Sequence, residues 1–314
     1  LHDALPIYKL LADCYENIRR YVDYVDRTSP TGLTSWGRGD WVPVKSHSSK
    51  ELTSSVYFYV DTKILANAAK MFNKTEDYKY YSALANKIKN AINDKFLNRE
   101  TGIYGSGVQT EQSVPLQWGI VPEELKRKVA RNLAKQVEAA GFHLDVGVLG
   151  AKAILNALSE NGEAETAYKL AAQDTYPSWG CWIANGATTL LENWDLNATR
   201  DISDNHMMFG EIGGWFYKGL GGIFPDPENP GFKHILLRPN FPSGLNELEA
   251  RYQSPYGEIC SKWERKKNRI VYHVTVPANS TATFYAPDNV KGERAVNLEA
   301  GKHILELPIK RAVY

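Results

Sequence analysis

The sequence predicts a mostly α-helical protein, in which a toroid of helical hairpins over residues 1–222 is followed by a small antiparallel β-sandwich over residues 223–314. Three observations lead to this prediction. Apolar residues recur at helical spacing from about Tyr8 to Gly222, long loops rich in Gly and Trp separate the helices, and short β-rich runs follow a cluster of prolines. The 314 residues are 43% hydrophobic and 23% charged, which is ordinary globular usage and excludes disordered, collagenous and coiled-coil classes.

The clearest helix follows Pro122 and ends at Gly141. Two glutamates occupy its first turn, where they complement the positive end of the helix dipole, and the glycine stops it. Its apolar residues recur every four positions, at Leu125, Val129, Leu133 and Val137. One face of this helix is therefore apolar, as expected of a helix that packs against others.

Other helices are marked by their ends. Ser48 is predicted to cap a helix with Glu51 as its capping-box partner, and Thr75 is predicted to start the next one. Two further helices are predicted on either side of a break at Asn161-Gly162. Short connections join such helices into antiparallel pairs, whereas the long Gly- and Trp-rich loops gather at one end of a toroid and form the mouth of a pocket.

The β-rich part begins after Gly222, where Pro225, Pro227 and Pro230 break the helical pattern. Several short strands with close spacing are typical of an antiparallel sandwich. The predicted strands are Ile235–Leu237, Ile259–Trp263, Ile270–Val276, Thr281–Tyr285 and Ile304–Leu307.

Charge and cysteine usage narrow the classes of ligand. The sequence has 37 Lys and Arg against 36 Asp and Glu, a net charge of +1, so no overall field attracts nucleic acid or an anionic membrane. A small neutral ligand is more consistent with this net charge than a nucleic acid or an anionic membrane is. Cys14, Cys181 and Cys260 are too far apart for a disulfide framework or a metal-ligand motif, and we predict no metal and no cofactor.

The sequence has no apolar run of the roughly 20 residues that span a bilayer.

The densest cluster of chemistry-bearing residues lies between Tyr176 and Asp195. Glu192 is surrounded in the sequence by three tryptophans, and partial desolvation of its carboxylate would suit it to act as a general acid or base. The alternative is a structural acid that accepts hydrogen bonds from the neighbouring backbone or from an arginine. The three tryptophans are Trp179, Trp182 and Trp194.

A second cluster runs from Trp36 to Trp41. Its glycines let a loop approach a ligand, the indole of Trp41 can stack on a sugar ring, and Asp40 can accept two hydroxyl hydrogens. These are the parts of a sugar-binding site. The alternative is a tight turn in which Asp40 pairs with Arg38 while Trp41 fills the core.

The third candidate is His206, in a segment that precedes a predicted helix start. There its imidazole could hydrogen-bond a sugar hydroxyl, although a lone histidine can equally be a satisfied core residue. No second histidine or acid stands at metal-ligand spacing from His206, so we predict no metal site there.

Taken in chain order, these segments form a set of motifs that resembles the α-L-rhamnosidases of glycoside hydrolase family 78. The resemblance runs from about Tyr8 to the C terminus, and the ordered set is more specific than any single motif. The motifs are Gly39-Asp-Trp-Val-Pro43, Gln109 to Pro122 with its Gln-Trp-Gly-Ile-Val-Pro ending, His143-Leu-Asp-Val-Gly147, Tyr176-Pro-Ser-Trp179, Gly186-Ala-Thr-Thr189 with Glu192 and Trp194, Asn205-His206, and Phe209-Gly210.

The resemblance implies an (α/α)6 barrel for the helical part, N-terminally incomplete, and a C-terminal β-sandwich. It implies hydrolysis of terminal α-L-rhamnosides with inversion, with a carbohydrate as the partner. In such a mechanism one carboxylic acid protonates the leaving oxygen while a second carboxylate activates a water on the opposite face of the sugar.

The resemblance also assigns residues. The general base of the family falls on Glu192, its stacking tryptophan on Trp41 and its sugar-binding histidine on His206. Asp40 and Trp179 lie inside matched motifs and are further candidates for sugar contacts.

Two departures from the family pattern stand out. The family commonly has Trp-Glu-Arg-Trp around the base, whereas this chain has Leu191-Glu192-Asn193-Trp194, so a stacking ring and a cation are expected to be missing. The general acid belongs to a segment that reads roughly Arg-x-Glu-Arg-x-Gly-Trp-x-Gly-Asp, which this sequence does not contain. We therefore expect the chain to be the C-terminal part of a longer enzyme, and by resemblance a periplasmic or extracellular one.

Two alternatives to this interpretation stay open. The chain could be a catalytically incomplete fragment that only binds sugar, because it carries the base without the acid. It could also belong to another (α/α) barrel enzyme, either a glycosidase for a different sugar or a polysaccharide lyase, since fold-level likeness alone does not fix the reaction.

Overall fold

The computed structural model of the chain describes residues 5–310. Its helices are α1 (Leu5–Thr28), α2 (Lys50–Met71), α3 (Thr75–Phe96), α4 (Gln109–Gln117), α5 (Lys126–Ala139), α6 (Val148–Glu160), α7 (Ala164–Ala171), α8 (Trp179–Ala184) and α9 (Glu211–Trp215). Its strands are β1 (Leu97–Asn98), β2 (Ile103–Tyr104), β3 (Ile223–Pro225), β4 (His234–Leu237), β5 (Glu247–Ser254), β6 (Gly257–Lys266), β7 (Arg269–Val276), β8 (Thr281–Tyr285), β9 (Ala295–Leu298) and β10 (Gly301–Pro308). The predicted fold class, mostly helical with a C-terminal β-sandwich, is confirmed.

The chain divides into two compact units. The first contains the residues up to Ala157 together with Gln173–Phe209, and the second contains Leu158–Ala172 together with the residues from Gly210 onward. This division follows the packing of the chain, and the domain limits of 1–222 and 223–314 stay a prediction. In the part of the chain between residues 5 and 310, no helix is both long and apolar enough to cross a membrane.

The predicted helices of the first unit are present with small shifts at their ends. The helix after Pro122 is α5, preceded by one 3₁₀ turn at Glu123–Leu125, and it ends next to Gly141, which adopts a positive φ of 66°. Its predicted apolar face is buried at Val129, Leu133 and Val137. Helix α3 begins at Thr75, as the sequence predicts.

The predicted cap of α2 is wrong by one residue. Ser49, not Ser48, caps the helix, because its hydroxyl accepts a hydrogen bond from the Leu52 N–H at 3.2 Å. Glu51 does not complete a capping box, and its carboxylate instead pairs with Lys95 at 2.6 Å. The free N–H of Ser49 donates to Glu111 of α4 at 2.7 Å, so a tertiary partner takes the place of the local one.

Helices α2, α4 and α6 begin at the same end of the first unit. The Ser49 contact joins the start of α2 to Glu111 in the first turn of α4. The carboxylate of Asp40 joins α4 to the start of α6, since it accepts hydrogen bonds from Thr110 and from the Leu149 N–H. The loops before these helices therefore gather at one end, as the sequence predicts for a toroid of hairpins.

The second unit contains two four-stranded sheets, in the orders β10-β7-β6-β5 and β3-β4-β8-β9. Every neighbouring pair is antiparallel except β4 and β8, which are parallel. All five predicted strands are present. Strands β3, β5 and β9, which all lie at sheet edges, were not predicted from the sequence.

One hydrophobic core joins the inward faces of the two sheets. Along β7 the side chains of Tyr272, Val274 and Val276 are buried, in the alternation that the sequence predicts. The ring of Tyr272 lies 5.4 Å from the ring of Phe284 on β8, in the other sheet. Burial of such rings is the main contribution to the stability of a sandwich of this size.

We expect Phe284→Ala to lower the free energy of unfolding by about 3–5 kcal/mol, because it removes a fully buried ring from this core. Urea denaturation followed by circular dichroism measures the loss. The control is Tyr285→Ala, which truncates the next side chain on the same strand, 37% exposed, and should cost far less. Equal losses in the two variants would contradict a shared core between the sheets.

Candidate functional site

Asp40 lies at the end of the first unit where α2, α4 and α6 begin, and its carboxylate contacts α4 and the start of α6. Its Oδ1 accepts hydrogen bonds from the Leu149 N–H at 2.7 Å and the Gly150 N–H at 3.2 Å, and its Oδ2 accepts from the Gly147 N–H at 2.8 Å and from the Thr110 hydroxyl at 2.5 Å. The carboxylate thus caps α6. Burial raises the pKa of Asp40, and these four hydrogen bonds oppose that rise.

These contacts give Asp40 a structural role within the protein. Each of its oxygens accepts two hydrogen bonds from neighbouring groups, and the predicted sugar contact of Asp40 stays a prediction. The predicted alternative, a pair with Arg38, does not form. The Arg38 guanidinium lies over the ring of Trp41, 5.1 Å from its centroid.

The close approach of the Asp40 loop to the start of α6 depends on Gly147. A Cβ at this position would collide with the carbonyl oxygen of Trp41 and would lie 2.8 Å from Oδ1 of Asp40. Glycine lacks that atom, and the two backbones can therefore come into contact.

Two further acids hold neighbouring loops in the same manner. The buried carboxylate of Glu111 accepts hydrogen bonds from the Ser49 N–H and from the N–H and hydroxyl of Ser106, at 2.7, 2.7 and 2.8 Å. Asp145 accepts from the N–H groups of Lys45 and Ser46 at 3.0 and 2.9 Å. Both acids lie inside the motifs described above, but the sequence indicates no role for them because Ser49, Lys45 and Ser46 are distant in the chain.

Three tryptophans and a phenylalanine form a buried aromatic cluster. Trp182 and Trp194 are stacked with ring centroids 4.8 Å apart, Trp179 meets Trp194 edge-on at 5.3 Å, and Phe209 lies 4.3 Å from Trp194. All four side chains are buried. The rings therefore pack on one another and form a platform beneath the loops.

The indole N–H groups of this cluster are satisfied by backbone carbonyls. Trp179 donates to Phe209 at 3.0 Å, Trp182 to Trp194 at 3.3 Å, and Trp194 to Val146 at 2.8 Å. The side chain of Trp179 is 4% exposed and is part of this platform. The sugar contact predicted for Trp179 stays a prediction.

Glu192 lies in a loop that folds back on itself as a hairpin. Its N–H donates to the Ser203 carbonyl at 2.9 Å, and the Ser203 N–H returns a bond to Oε2 of Glu192 at 3.2 Å. The His206 N–H donates to the Leu190 carbonyl at 2.8 Å. Glu192 and His206 are thereby brought together on paired segments, and both side chains are half-buried.

The hairpin is fixed to the aromatic platform at both ends. Trp194 follows Glu192 by two residues, and Phe209 follows His206 by three. Asn193, which replaces the arginine expected in the family, donates to the Arg200 carbonyl at 3.3 Å and accepts from the Asp195 N–H at 2.9 Å, so it closes the turn of the hairpin.

The ring of His206 has a defined tautomer when it is neutral. Its Nδ1 accepts a hydrogen bond from the Met208 N–H at 3.2 Å, in the 3₁₀ turn Met207–Phe209. Because Nδ1 acts as the acceptor, the proton of the neutral ring is on Nε2. Nε2 can then donate a hydrogen bond to a ligand hydroxyl.

Trp41 is tied to the same backbone segment as the hairpin. The Val148 N–H donates to the Trp41 carbonyl at 2.9 Å, and two residues earlier the Val146 carbonyl accepts from the Trp194 indole. Three consecutive residues, 146–148, therefore hold the loop of Trp41 and the loop of Glu192. The structure brings Trp41, Glu192 and His206 to one end of the first unit, each half-buried.

This arrangement offers groups that can contact a polyhydroxylated ring. It offers a carboxylate that can take a proton, an imidazole N–H that can bind a hydroxyl, and an indole that can pack on an apolar ring face. Within the residues described, no group of three or more His, Cys, Asp or Glu side chains is placed to hold a metal ion.

Comparison with known proteins identifies two family models. Residues 8–220 match the bacterial alpha-L-rhamnosidase 6 hairpin glycosidase domain, and residues 222–301 match the bacterial alpha-L-rhamnosidase C-terminal domain. An alpha-L-rhamnosidase of Streptomyces avermitilis is 28% identical over 295 residues, which cover 91% of this chain and 28% of that protein. The chain thus spans about a third or less of the length of the curated relatives it matches.

Solved structures have the same fold. The α-L-rhamnosidase from Dictyoglumus thermophilum superimposes with a TM-score of 0.86 at 32% identity, covering 96% of this chain and 37% of that one. The Streptomyces avermitilis enzyme complexed with L-rhamnose superimposes with a TM-score of 0.82 at 27% identity, covering 96% of this chain and 30% of that one.

We expect Asp40→Ala to lower the free energy of unfolding by about 2–3 kcal/mol, because it leaves three backbone N–H groups without an acceptor and uncaps α6. Thermal denaturation measures the change. Asp174→Ala, at an exposed aspartate of the same unit, is the matched control and should be nearly neutral. A stability loss at Asp40 no greater than at Asp174 would contradict its structural role.

Proposed function

Since the chain belongs to the bacterial α-L-rhamnosidase family of six-hairpin glycosidases, we propose that it forms the general-base side of a site at which a terminal α-L-rhamnose is hydrolysed with inversion. The observation that carries the proposal is the attachment of the Trp41 loop and the Glu192 hairpin to the same three residues, 146–148. The two loops are otherwise about 150 positions apart in the sequence. A shared attachment is what a site with fixed geometry requires.

In the proposed reaction Glu192 acts as the general base. Its carboxylate takes a proton from a water molecule, and the water oxygen attacks the anomeric carbon from the face opposite the glycosidic oxygen. The bond from that carbon to the glycosidic oxygen breaks, and a general acid protonates the leaving oxygen. The proposal assigns no general acid within this chain.

The neighbouring residues position the carboxylate and the sugar. The Ser203 N–H orients one oxygen of Glu192, at 3.2 Å, and the hairpin holds that oxygen in place. His206 donates from Nε2 to a hydroxyl of rhamnose, and Trp41 packs against the apolar face of the ring. The family membership favours hydrolysis over the lyase alternative.

A second candidate function is binding without turnover. It is favoured by the role of Glu192 as a hydrogen-bond acceptor for its own loop, which a purely structural acid would also have. Substrates with different leaving groups separate the two functions. The leaving oxygen of an activated aryl rhamnoside needs little protonation, whereas that of a rhamnosyl disaccharide needs much.

In an enzyme that contains this chain together with a general acid, we expect Glu192→Gln to lower kcat for an aryl α-L-rhamnoside by about 10²- to 10⁴-fold. The reason is that the attacking water loses its base. Release of the aryl group is measured by absorbance. Asp204→Asn, at an exposed carboxylate of the same hairpin, is the matched control and should keep its activity.

Azide provides a further test of the same variant. If Glu192 is the base, azide attacks the anomeric carbon without one, restores release of the aryl group and gives the β-linked rhamnosyl azide. Nuclear magnetic resonance identifies the anomer. Unchanged activity of Glu192→Gln, or a product that retains the α configuration, would remove Glu192 from the proposed role.

A further inference from the structure

The loop that carries Trp41 contains a strained residue. Val42 has a φ of 51°, in the left-handed region, and among the residues that the structure describes it is the one β-branched residue with a positive φ. A branched side chain crowds the neighbouring backbone in this region. Pro43 adds a second restriction, because a residue before proline is pushed towards extended backbone. The surrounding structure must therefore impose this conformation on Val42.

The backbone before Val42 is fixed to the start of α6. The Gly147 N–H donates to Asp40 at 2.8 Å, and the Val148 N–H donates to the Trp41 carbonyl at 2.9 Å. The contact is so close that a Cβ at Gly147 would collide with that carbonyl oxygen. The peptide group that enters Val42 therefore has a fixed direction.

The backbone after Val42 returns to the same segment. The N–H groups of Lys45 and Ser46 donate to Asp145 at 3.0 and 2.9 Å, and the Ser46 hydroxyl donates to it at 2.6 Å. From Asp40 to Ser46 the chain could span about 20 Å if it were extended, whereas its two anchor points are only two residues apart, at most about 7 Å. The chain between the anchors must therefore turn back, and the left-handed backbone of Val42 lies within that turn.

The indole of Trp41 depends on this turn for its direction. The Arg38 guanidinium lies 5.1 Å from the centroid of the ring. Arg38 is exposed and belongs to the same loop, so it moves with the ring and does not hold it against α6. The backbone holds it instead, through the bonded Trp41 carbonyl on one side and the restricted Val42 on the other.

We propose that Val42 is a positioning residue of the rhamnose site, whose left-handed backbone sets the direction of the Trp41 indole. The contact between this indole and the sugar rests on the proposed function, whereas the strain at Val42 does not. A β-branched residue has little conformational freedom in the left-handed region, so the indole is held in place before the sugar binds. Glycine at this position would remove both the strain and the restriction.

Two substitutions separate the backbone of Val42 from its side chain. Asparagine and glycine both accept a positive φ and both remove the isopropyl group, but glycine also has many other conformations. Nuclear magnetic resonance relaxation of this chain measures the order parameter of the Trp41 indole N–H, whose signal is the one that Trp41→Phe removes. We expect the order parameter to fall in Val42→Gly and to be unchanged in Val42→Asn.

The same pair of variants gives a kinetic readout in an enzyme that contains this chain together with a general acid. Val42→Gly should raise KM for an aryl α-L-rhamnoside by about three- to tenfold, because a mobile indole loses part of its stacking contact with the sugar. It should leave kcat unchanged, since the contact is the same in the ground state and the transition state. Val42→Asn should keep both constants. A merely structural role of Val42 would not produce this split between KM and kcat.

Thermal denaturation tests the origin of the strain. Val42→Asn should raise the melting temperature by about 2–4 °C, because asparagine tolerates the left-handed region. The gain should disappear in the Asp40→Ala background, where the backbone before Val42 is released and valine can return to an extended conformation. A gain of the same size in both backgrounds would show that the Asp40 contacts do not impose the strain.

The matched control is Asn73→Gly, at another left-handed residue of the first unit, between α2 and α3. It should change neither the order parameter of the Trp41 indole nor KM. The inference is overturned if Val42→Gly leaves the order parameter unchanged, or if glycine and asparagine raise KM equally, since a side-chain contact would then explain the loss. The order parameter does not depend on the sugar, so failure of the proposed function appears separately, as activity that survives Glu192→Gln.

Discussion

The site depends on the hydrogen bonds made by three consecutive backbone positions at the start of α6. The Val146 carbonyl accepts from the indole of Trp194, the Gly147 N–H donates to Asp40, and the Val148 N–H donates to the Trp41 carbonyl. A backbone of three residues cannot change its spacing, so it sets the distance between two loops that are far apart in the sequence. The buried carboxylate of Asp40 makes this junction rigid, because it also satisfies the free N–H groups of the helix.

The aromatic platform explains how a long loop with little regular structure keeps a defined shape. Three indoles exclude water beneath the Glu192 hairpin, and each N–H is paired with a carbonyl, so burial leaves no donor unsatisfied. A loop anchored in this way can present half-buried polar side chains without collapsing onto the core. The tryptophans that suggested a sugar-binding surface in the sequence are therefore packed against one another in the structure.

The motifs predicted Glu192, Trp41 and His206 as sugar-site residues, and that role stays a prediction. The structure brings these three residues to one end of the first unit. Asp40 and Trp179 were candidates for sugar contacts because they lie inside matched motifs, and the structure adds hydrogen bonds that each makes within the protein. Glu111 and Asp145 were missed as loop anchors because Ser49, one partner of Glu111, lies 62 residues away in the chain and the partners of Asp145 lie about 100 residues away.

The sequence by itself determined the helices with clear ends, five of the strands and the class of fold, because apolar periodicity, helix caps and turn residues act over a few neighbouring positions. It could not determine that Ser49 caps α2, that β5 and β9 form sheet edges, or that β4 and β8 run parallel. Only the tertiary structure decided these features and the roles of the buried acids. The physical reason is that a hydrogen-bond partner is chosen by proximity in space, which packing of the whole unit sets and no local pattern encodes.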